Sequence, residues 1–325
     1  MRWPRPLSLL FLLLIFLGSI PSSWAYERIV SLKPNLTEIL FALGVGDKIV
    51  GVTSFCDFPA EARKIDKVSD YIQPDLEKLL SKNPDLILTS EENSSRREIE
   101  FLMRKGYKVL TYPSNTLKEL RASIWGLGDI LGKKERAEKI VGDMDRSLGQ
   151  LRERAQKVKA PRALFVVGHQ PLIVAGSRNL FNDVAPYLGV INAAGESRFL
   201  YPTFSLEMFL AKAPEMVLDF AMGSEDSLRG REERRRWWSQ YSKVPAVRDG
   251  KVLLLDMSRI RATPRLPGEL EKLFEVIHSP FGSAGKSFFF HLSVLGLTPA
   301  QARPHRSMIR KGVKEMDRYE AVQEK

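Results

Sequence analysis

Short apolar runs alternate with amphipathic stretches along most of the chain. Residues 28–32, 48–53, 85–89 and 107–111 are largely apolar runs of strand length, and residues 36–43, 75–81 and 96–105 carry helical spacing. Asn35 followed three residues on by Glu38 has the form of a capping box at the first helix start. Apolar strands separated by helices predict a parallel sheet covered on both faces. The alternation then stops. Between residues 116 and 158 no strand is expected, only two helical stretches divided near Gly132, the second (133–157) long and mostly polar, as on a helix lying along the outside of a molecule. Strand-like runs resume at 162–167, 172–174, 215–219 and 251–256. The expected order is lobe, connecting helix, lobe.

The two lobes echo each other. Leu76, Glu77, Leu80, Lys82, Pro84, Ile87 and Leu88 find counterparts in Leu206, Glu207, Leu210, Lys212, Pro214, Val217 and Leu218, at a constant offset of 130 residues. A period this long describes a duplicated lobe, not a solenoid. Capped helix–loop–strand units, with Asp75 and Ser205 as caps and a proline ending each helix, account for most of the match. They do not account for Tyr71 and Tyr201, each six residues before a recurring glutamate.

The chain ends change the picture. Arg2 and Arg5, an 11-residue apolar run from Leu7 to Leu17, and Ser23-Trp24-Ala25 have the layout of a secretory signal peptide cleaved after Ala25. The run falls well short of the roughly 20 residues that span a bilayer. No cysteine adjoins the cleavage point, so a free periplasmic protein is expected. Without residues 1–25 the charge falls from +11 to +9, with 48 basic and 39 acidic side chains. The surplus is dispersed. Its one dense run, 231–236, is mixed in sign and reads as a solvated helix face, so nucleic acid is not an expected partner. Cys56 is the only cysteine; it excludes an intramolecular disulfide and reads as a small semi-buried residue.

Catalytic spacings are absent: there is no His-Glu-x-x-His, Cys-x-x-Cys or Gly-x-Ser-x-Gly, and His169, His278, His291 and His305 do not cluster. Gly282–Ser287 ends like a phosphate-binding loop, but it has Pro280 where the first glycine belongs and follows a helical stretch instead of a strand. Neither an enzyme nor a resident metal or cofactor is expected.

The residues that carry the echo also carry a resemblance. Arg28-Ile-Val-Ser-Leu32, Asn35–Gly44, Gly51–Pro59 and Asp75-Leu-Glu77 resemble the N-lobe of periplasmic cobalamin- and iron-chelate-binding proteins of ABC importers. Gly168–Gly176, Tyr201–Glu207 and Val244–Val252 resemble the C-lobe, and the likeness covers about residues 27–280. It implies an α/β fold of two Rossmann-like lobes with parallel sheets joined by a single long connecting helix, the helical-backbone form of periplasmic binding protein. The corresponding segments are a signal peptide (1–25), an N-lobe (26–132), the helix (133–158), a C-lobe (159–280) and a basic tail (281–325). The tail reads as disordered; its apolar stretch, 288–297, is too short to span a membrane.

By the same resemblance, Tyr71 and Tyr201 stand where tryptophans stack on the ligand, one per lobe, and Phe55 where a further aromatic lines the interlobe cleft. Glu77 and Glu207 stand where glutamates dock into arginine pockets of the membrane permease. The implied function is capture of cobalamin or a related metal chelate by a monomer and delivery to an inner-membrane permease. Tyrosine in place of tryptophan keeps the flat face and adds a hydroxyl, which suits haem or a ferric siderophore equally. His169, at a strand end where ligands bind in such sheets, is a further ligand candidate and the one residue that would serve a chelatase-like enzyme. A sensor or adhesin is the third class, but it would need no docking glutamates.

Overall fold

The structure, a computed structural model, describes residues 26–70, 73–90, 96–220 and 228–278. Residues 1–25, read as a signal peptide, Tyr71, residues 282–287 and the basic segment 281–325 lie outside the described residues. The chain divides into two compact units. Residues up to Ser114 together with Glu119–Val141 form the first, and Asn115–Lys118 with the chain from Gly142 onward the second.

In the first unit, strands β1 (Ile29–Ser31), β2 (Ile49–Thr53), β3 (Lys67–Ser69), β4 (Leu86–Thr89) and β5 (Val109–Thr111) form one sheet in the order β3-β2-β1-β4-β5. Every pairing is parallel. Helices α1 (Pro34–Leu43), α2 (Leu76–Ser81), α3 (Arg96–Arg104) and α4 (Leu117–Ile130) follow β1, β3, β4 and β5. Val30 and Ile87 point into one apolar cluster with Leu79 of α2 and Leu102 of α3. Ser31 points to the opposite face, where its hydroxyl accepts a 2.8 Å bond from Thr37 of α1. Helices therefore cover both faces, as the unbroken apolar strands require. β3, only three residues long, had no apolar run to announce it.

Helix α1 starts earlier than the capping-box reading places it. Lys33 is the N-cap and makes no side-chain cap bond, Pro34 fills the first turn, and Asn35 is already helical. Proline is preorganised for that position and has no N–H to lose, so it sets the start ahead of the asparagine.

Helix α5 (Lys134–Ala155) runs for 22 residues across the boundary between the units. Ala137, Val141, Met144, Leu148, Leu151 and Ala155 form one buried stripe at alternating spacings of four and three, and the intervening positions are mostly charged and exposed. That explains why a mostly polar sequence still makes a long, ordered helix. Gly132, at φ 63°, separates it from α4.

The second unit holds β6 (Arg162–Gly168), β7 (Leu172–Val174), β8 (Ile191–Asn192), β9 (Thr203–Phe204), β10 (Met216–Asp219) and β11 (Val252–Leu254), ordered β11-β10-β6-β7-β9 with β8 beside β6. Its helices are α6 (Leu180–Val184), α7 (Leu206–Lys212), α8 (Leu228–Ser239), α9 (Pro245–Arg248) and α10 (Leu266–His278). β10 pairs in parallel with β6 and β11, but β7 is antiparallel to both β6 and β9, so this sheet is mixed where a parallel one was expected. Three residues separate Gly168 from Leu172. A parallel crossover needs about a dozen, so only a hairpin fits.

The duplication is visible in backbone detail. Asp75 and Ser205 cap α2 and α7 by accepting from Lys78 N and Met208 N at 3.1 and 3.2 Å. Each helix ends in a left-handed residue before proline, Asn83 (φ 47°) and Ala213 (φ 40°). In both units the next acid then holds the entry to the central strand: Asp85 accepts from Arg28 N at 3.1 Å and Glu215 from Arg162 N at 3.0 Å. Alanine has a steric cost in the left-handed region that asparagine tolerates better. Ala213→Asn should therefore raise stability by up to about 1 kcal/mol and Asn83→Ala lower it by a similar amount. Urea denaturation checks both; destabilisation by Ala213→Asn would contradict the strain.

Candidate functional site

Both sheets share a topological feature. In the first, the chain leaves β1 toward β2 and β3, then returns to β4 on the other side of β1. In the second it leaves β6 toward β7 and β9 and returns to β10. Such reversals open a crevice outside the carboxyl ends of the two central strands, the usual ligand position in open α/β sheets.

At the β6–β10 reversal the structure places His169, directly after β6, against Asp219, the last residue of β10. His169 Nε2 is 3.0 Å from Asp219 Oδ2, and the same oxygen accepts from Trp238 Nε1 at 2.8 Å. Trp237 stacks on the imidazole with centroids 4.4 Å apart and planes 15° from parallel, while Trp238 meets it edge-on. Arg234 Nε lies 3.6 Å from the carboxylate, and its guanidinium also reaches the carbonyls of Asp219 and Leu255 at 3.4 and 3.5 Å. The Asp219 side chain is wholly buried, and that of His169 retains 17% exposure.

Burial pushes the Asp219 carboxyl upward. The His169 hydrogen bond, the Arg234 charge and the Trp238 bond outweigh it and hold the group below its ordinary 3.8. Asp219 is thus an ionised acceptor. His169 Nε2 must carry the proton it shares with that carboxylate, which leaves Nδ1 as a lone-pair acceptor in the neutral ring. This arrangement, a carboxylate behind a histidine, is the one that orients imidazoles toward metals. Among the described residues no group of three or more His, Cys, Asp or Glu could hold a metal ion by itself.

Tyr201 is fixed by a different part of the same unit. The β7–β9 ladder continues outward, with Val174 N donating to Pro202 O and Gly176 N to Leu200 O at 3.0 and 2.9 Å. A Cβ on Gly176 would lie 2.0 Å from the Phe199 carbonyl, so only glycine permits this approach. Buried Asn179 caps α6 and donates to Leu200 O. Tyr201, 44% exposed, therefore sits across from Ala175, one residue past the end of β7 and back from the His169 end. A bulky ligand is needed for one molecule to touch both.

In the first unit Phe55 is 49% exposed on the loop after β2, its amide bonded to Thr53 Oγ1 at 3.2 Å. Cys56 beside it is buried, with its sulfur 3.2 and 3.3 Å from the hydroxyls of Thr37 and Thr53. Glu77 and Glu207 are exposed in the first turns of α2 and α7. The Ser205 hydroxyl and a backbone N–H hold the Glu207 carboxyl below its usual range.

Sequence reasoning missed Asp219, Arg234, Trp237 and Trp238. The run 231–236 is a solvated face at Glu232, Glu233, Arg235 and Arg236, but Arg234 turns inward with 14% side-chain exposure. An aspartate ending an otherwise apolar strand was the available signal.

A family profile described as periplasmic binding protein matches residues 29–258. The chain belongs to the periplasmic binding protein family. That is a family of substrate-binding proteins, not of enzymes, and its place is the periplasm. The vitamin B12-binding protein of Vibrio parahaemolyticus is 27% identical over 258 residues, 79% of this chain and 91% of that protein. The crystal structure of the periplasmic vitamin B12-binding protein of Vibrio cholerae superposes with a TM-score of 0.66 at 26% identity, covering 78% of this chain and 98% of that one. A periplasmic haem-binding protein from Pseudomonas aeruginosa gives 0.70 at 28% identity, covering 78% and 93%. These comparisons bear out the resemblance and the fold expected from the sequence.

The lowered Asp219 value has a direction for stability. A carboxyl depressed on folding contributes stability above its unfolded value and loses it as pH falls through the folded one. Wild-type stability should therefore decline below pH 3.8, and Asp219→Asn should show a flatter decline there and a loss of about 1–3 kcal/mol near neutrality. Urea midpoints from pH 3 to 7 test this; parallel profiles would show that Asp219 is not held as an ion.

Proposed function

We propose that the protein is the periplasmic substrate-binding component of an ABC importer, with a metal tetrapyrrole, cobalamin or haem, as its cargo. The observation that carries the cargo class is the His169–Asp219 pair. An imidazole whose outer nitrogen is a fixed lone-pair acceptor, set against the stacked face of Trp237 at a strand reversal, suits a flat ring with a metal at its centre. Exposed Tyr201 and Phe55 supply aromatic surface of the kind that buries a macrocycle at low entropic cost, and by its sequence position Tyr71 has the same role. The likeness to vitamin B12-binding proteins supports cobalamin. The His169 geometry favours haem as the second reading, because haem iron offers an open axial position.

The route to the membrane is part of the same reading. Residues 1–25 direct export and are removed, and the mature monomer hands its cargo to the permease through Glu77 and Glu207. Both acids stand at capped helix starts, where the helix dipole favours a carboxylate. Docking asks more of them than capping does. Glu77→Ala with Glu207→Ala should leave ligand affinity unchanged and abolish uptake by cells that depend on this protein; normal uptake would reduce both residues to helix-start acids.

Ligand binding tests the cargo. Cyanocobalamin, ferric haem and a ferric catecholate siderophore are titrated against the mature protein, with tryptophan fluorescence as the readout. Quenching by a tetrapyrrole is expected, and Tyr201→Ala should weaken it about tenfold, the equivalent of 1.4 kcal/mol. Should haem be the cargo, His169→Ala shifts the absorption of the bound iron while Tyr201→Phe does not. Quenching by the siderophore alone would overturn the tetrapyrrole assignment.

A further inference from the structure

The reversal of the first unit holds two buried polar atoms without a hydrogen-bond partner. Leu32 N donates to Leu88 O at 2.8 Å, so the chains leaving β1 and β4 stay paired one residue past the ladder. Beyond that point lie Lys33, Asn35 and Ser90, with 8%, 9% and 3% exposure. Asn35 Nδ2 and Ser90 Oγ are buried and have no hydrogen-bond partner. Such groups are rare, since each forfeits the cost of its desolvation.

Their placement is specific. Ser31 pairs with Leu88, and the Ser31 hydroxyl meets Thr37 of α1. Alternation along the strand puts Ser90 in the Leu86–Leu88 row, on the face that α1 covers. The 10-residue α1 begins there without a side-chain cap. Its first-turn amides have no partner within the helix, and its dipole favours negative charge. Asn35 Nδ2, the Ser90 hydroxyl and those amides can all donate, and Asn35 Oδ1 and Ser90 Oγ can also accept. Glu38, one turn farther in, is also buried. Recognition would thus rest on directed donors and the helix start, not on net charge.

From this we infer that the crevice between β1 and β4 is an anion subsite, in which Asn35, Ser90 and the start of α1 hold a carboxylate or phosphate oxygen of the cargo. The inference deepens the tetrapyrrole reading and rests on it for the source of the anion. Haem would supply a propionate carboxylate, and cobalamin the phosphodiester of its nucleotide loop.

Two matched pairs of probes separate those sources: ferric haem against its dimethyl ester, and cyanocobalamin against dicyanocobinamide, which lacks the phosphodiester. The mature wild type should bind the anionic member of one pair at least about tenfold tighter. Asn35→Leu and Ser90→Ala, tested separately so that one folding failure is not decisive, should each erase most of that preference and leave affinity for the neutral member unchanged. Sodium propionate and sodium phosphate alone are also tested by thermal shift. A rise in Tm that disappears in the variants supports the subsite even when no tetrapyrrole binds, in which case only the cargo assignment fails. Tetrapyrrole binding with the same anion preference in wild type and both variants overturns the subsite and leaves the carrier standing. Variants that raise Tm with no change toward any probe also overturn it, and mark the two groups as buried polar atoms that no ligand satisfies.

Discussion

A carboxylate without exposed surface, at the end of a central strand, organises the better-defined half of this molecule. Asp219 closes β10 and draws two further elements to it: the loop after β6 through His169, and helix α8 through Arg234 and Trp238. Burying an ion is unfavourable unless its partners are well placed. Here one oxygen accepts from both an imidazole and an indole, with a guanidinium nearby. The same contacts decide what His169 can do, because a nitrogen committed to Asp219 cannot meet a ligand, and the other nitrogen is left to do so. Under the proposed function, stability and recognition thus depend on one group.

The duplication explains why such a group stands where it does. Each unit has a central strand from which the chain leaves on one side and returns on the other, so each has a crevice at its strand ends. The helix caps, the left-handed residues before proline and the acids that grip the strand entries recur between the units, but the crevices have diverged. One holds a satisfied ion, an imidazole and stacked indoles. The other holds unsatisfied donors at an uncapped helix start. What is duplicated maintains the fold, and what differs is the part suited to recognition.

Much of the architecture was legible in the sequence because it is written in apolar periodicity. The central strands, the strand-free stretch and the long α5 all follow from it, and the recurring Leu, Glu and Pro of α2 and α7 declared the repeat. Elements too short to show a period, β3, β8 and β9 among them, were not legible. The antiparallel β7 depends on the length of a turn, not on a pattern. Proline at the start of α1 displaced the cap expected at Asn35. The site was harder to read. The roles of Tyr201, Phe55, Glu77 and Glu207 came from the resemblance, whereas Asp219, Arg234 and the Trp237–Trp238 pair act only through contacts between residues far apart in sequence. An arginine inside a mixed charge run looks solvated until the fold turns it inward.

The central claim is that Asp219 fixes the His169 tautomer and so leaves Nδ1 for the cargo. Long-range proton–nitrogen NMR correlations on the mature, ligand-free protein read the protonated nitrogen of each imidazole directly, with His169→Gln identifying the resonance. The account predicts that His169, in its neutral form, carries its proton on Nε2. A neutral ring protonated at Nδ1 would contradict it, because the nitrogen facing Asp219 would then have no proton to share and the outer one no lone pair to offer.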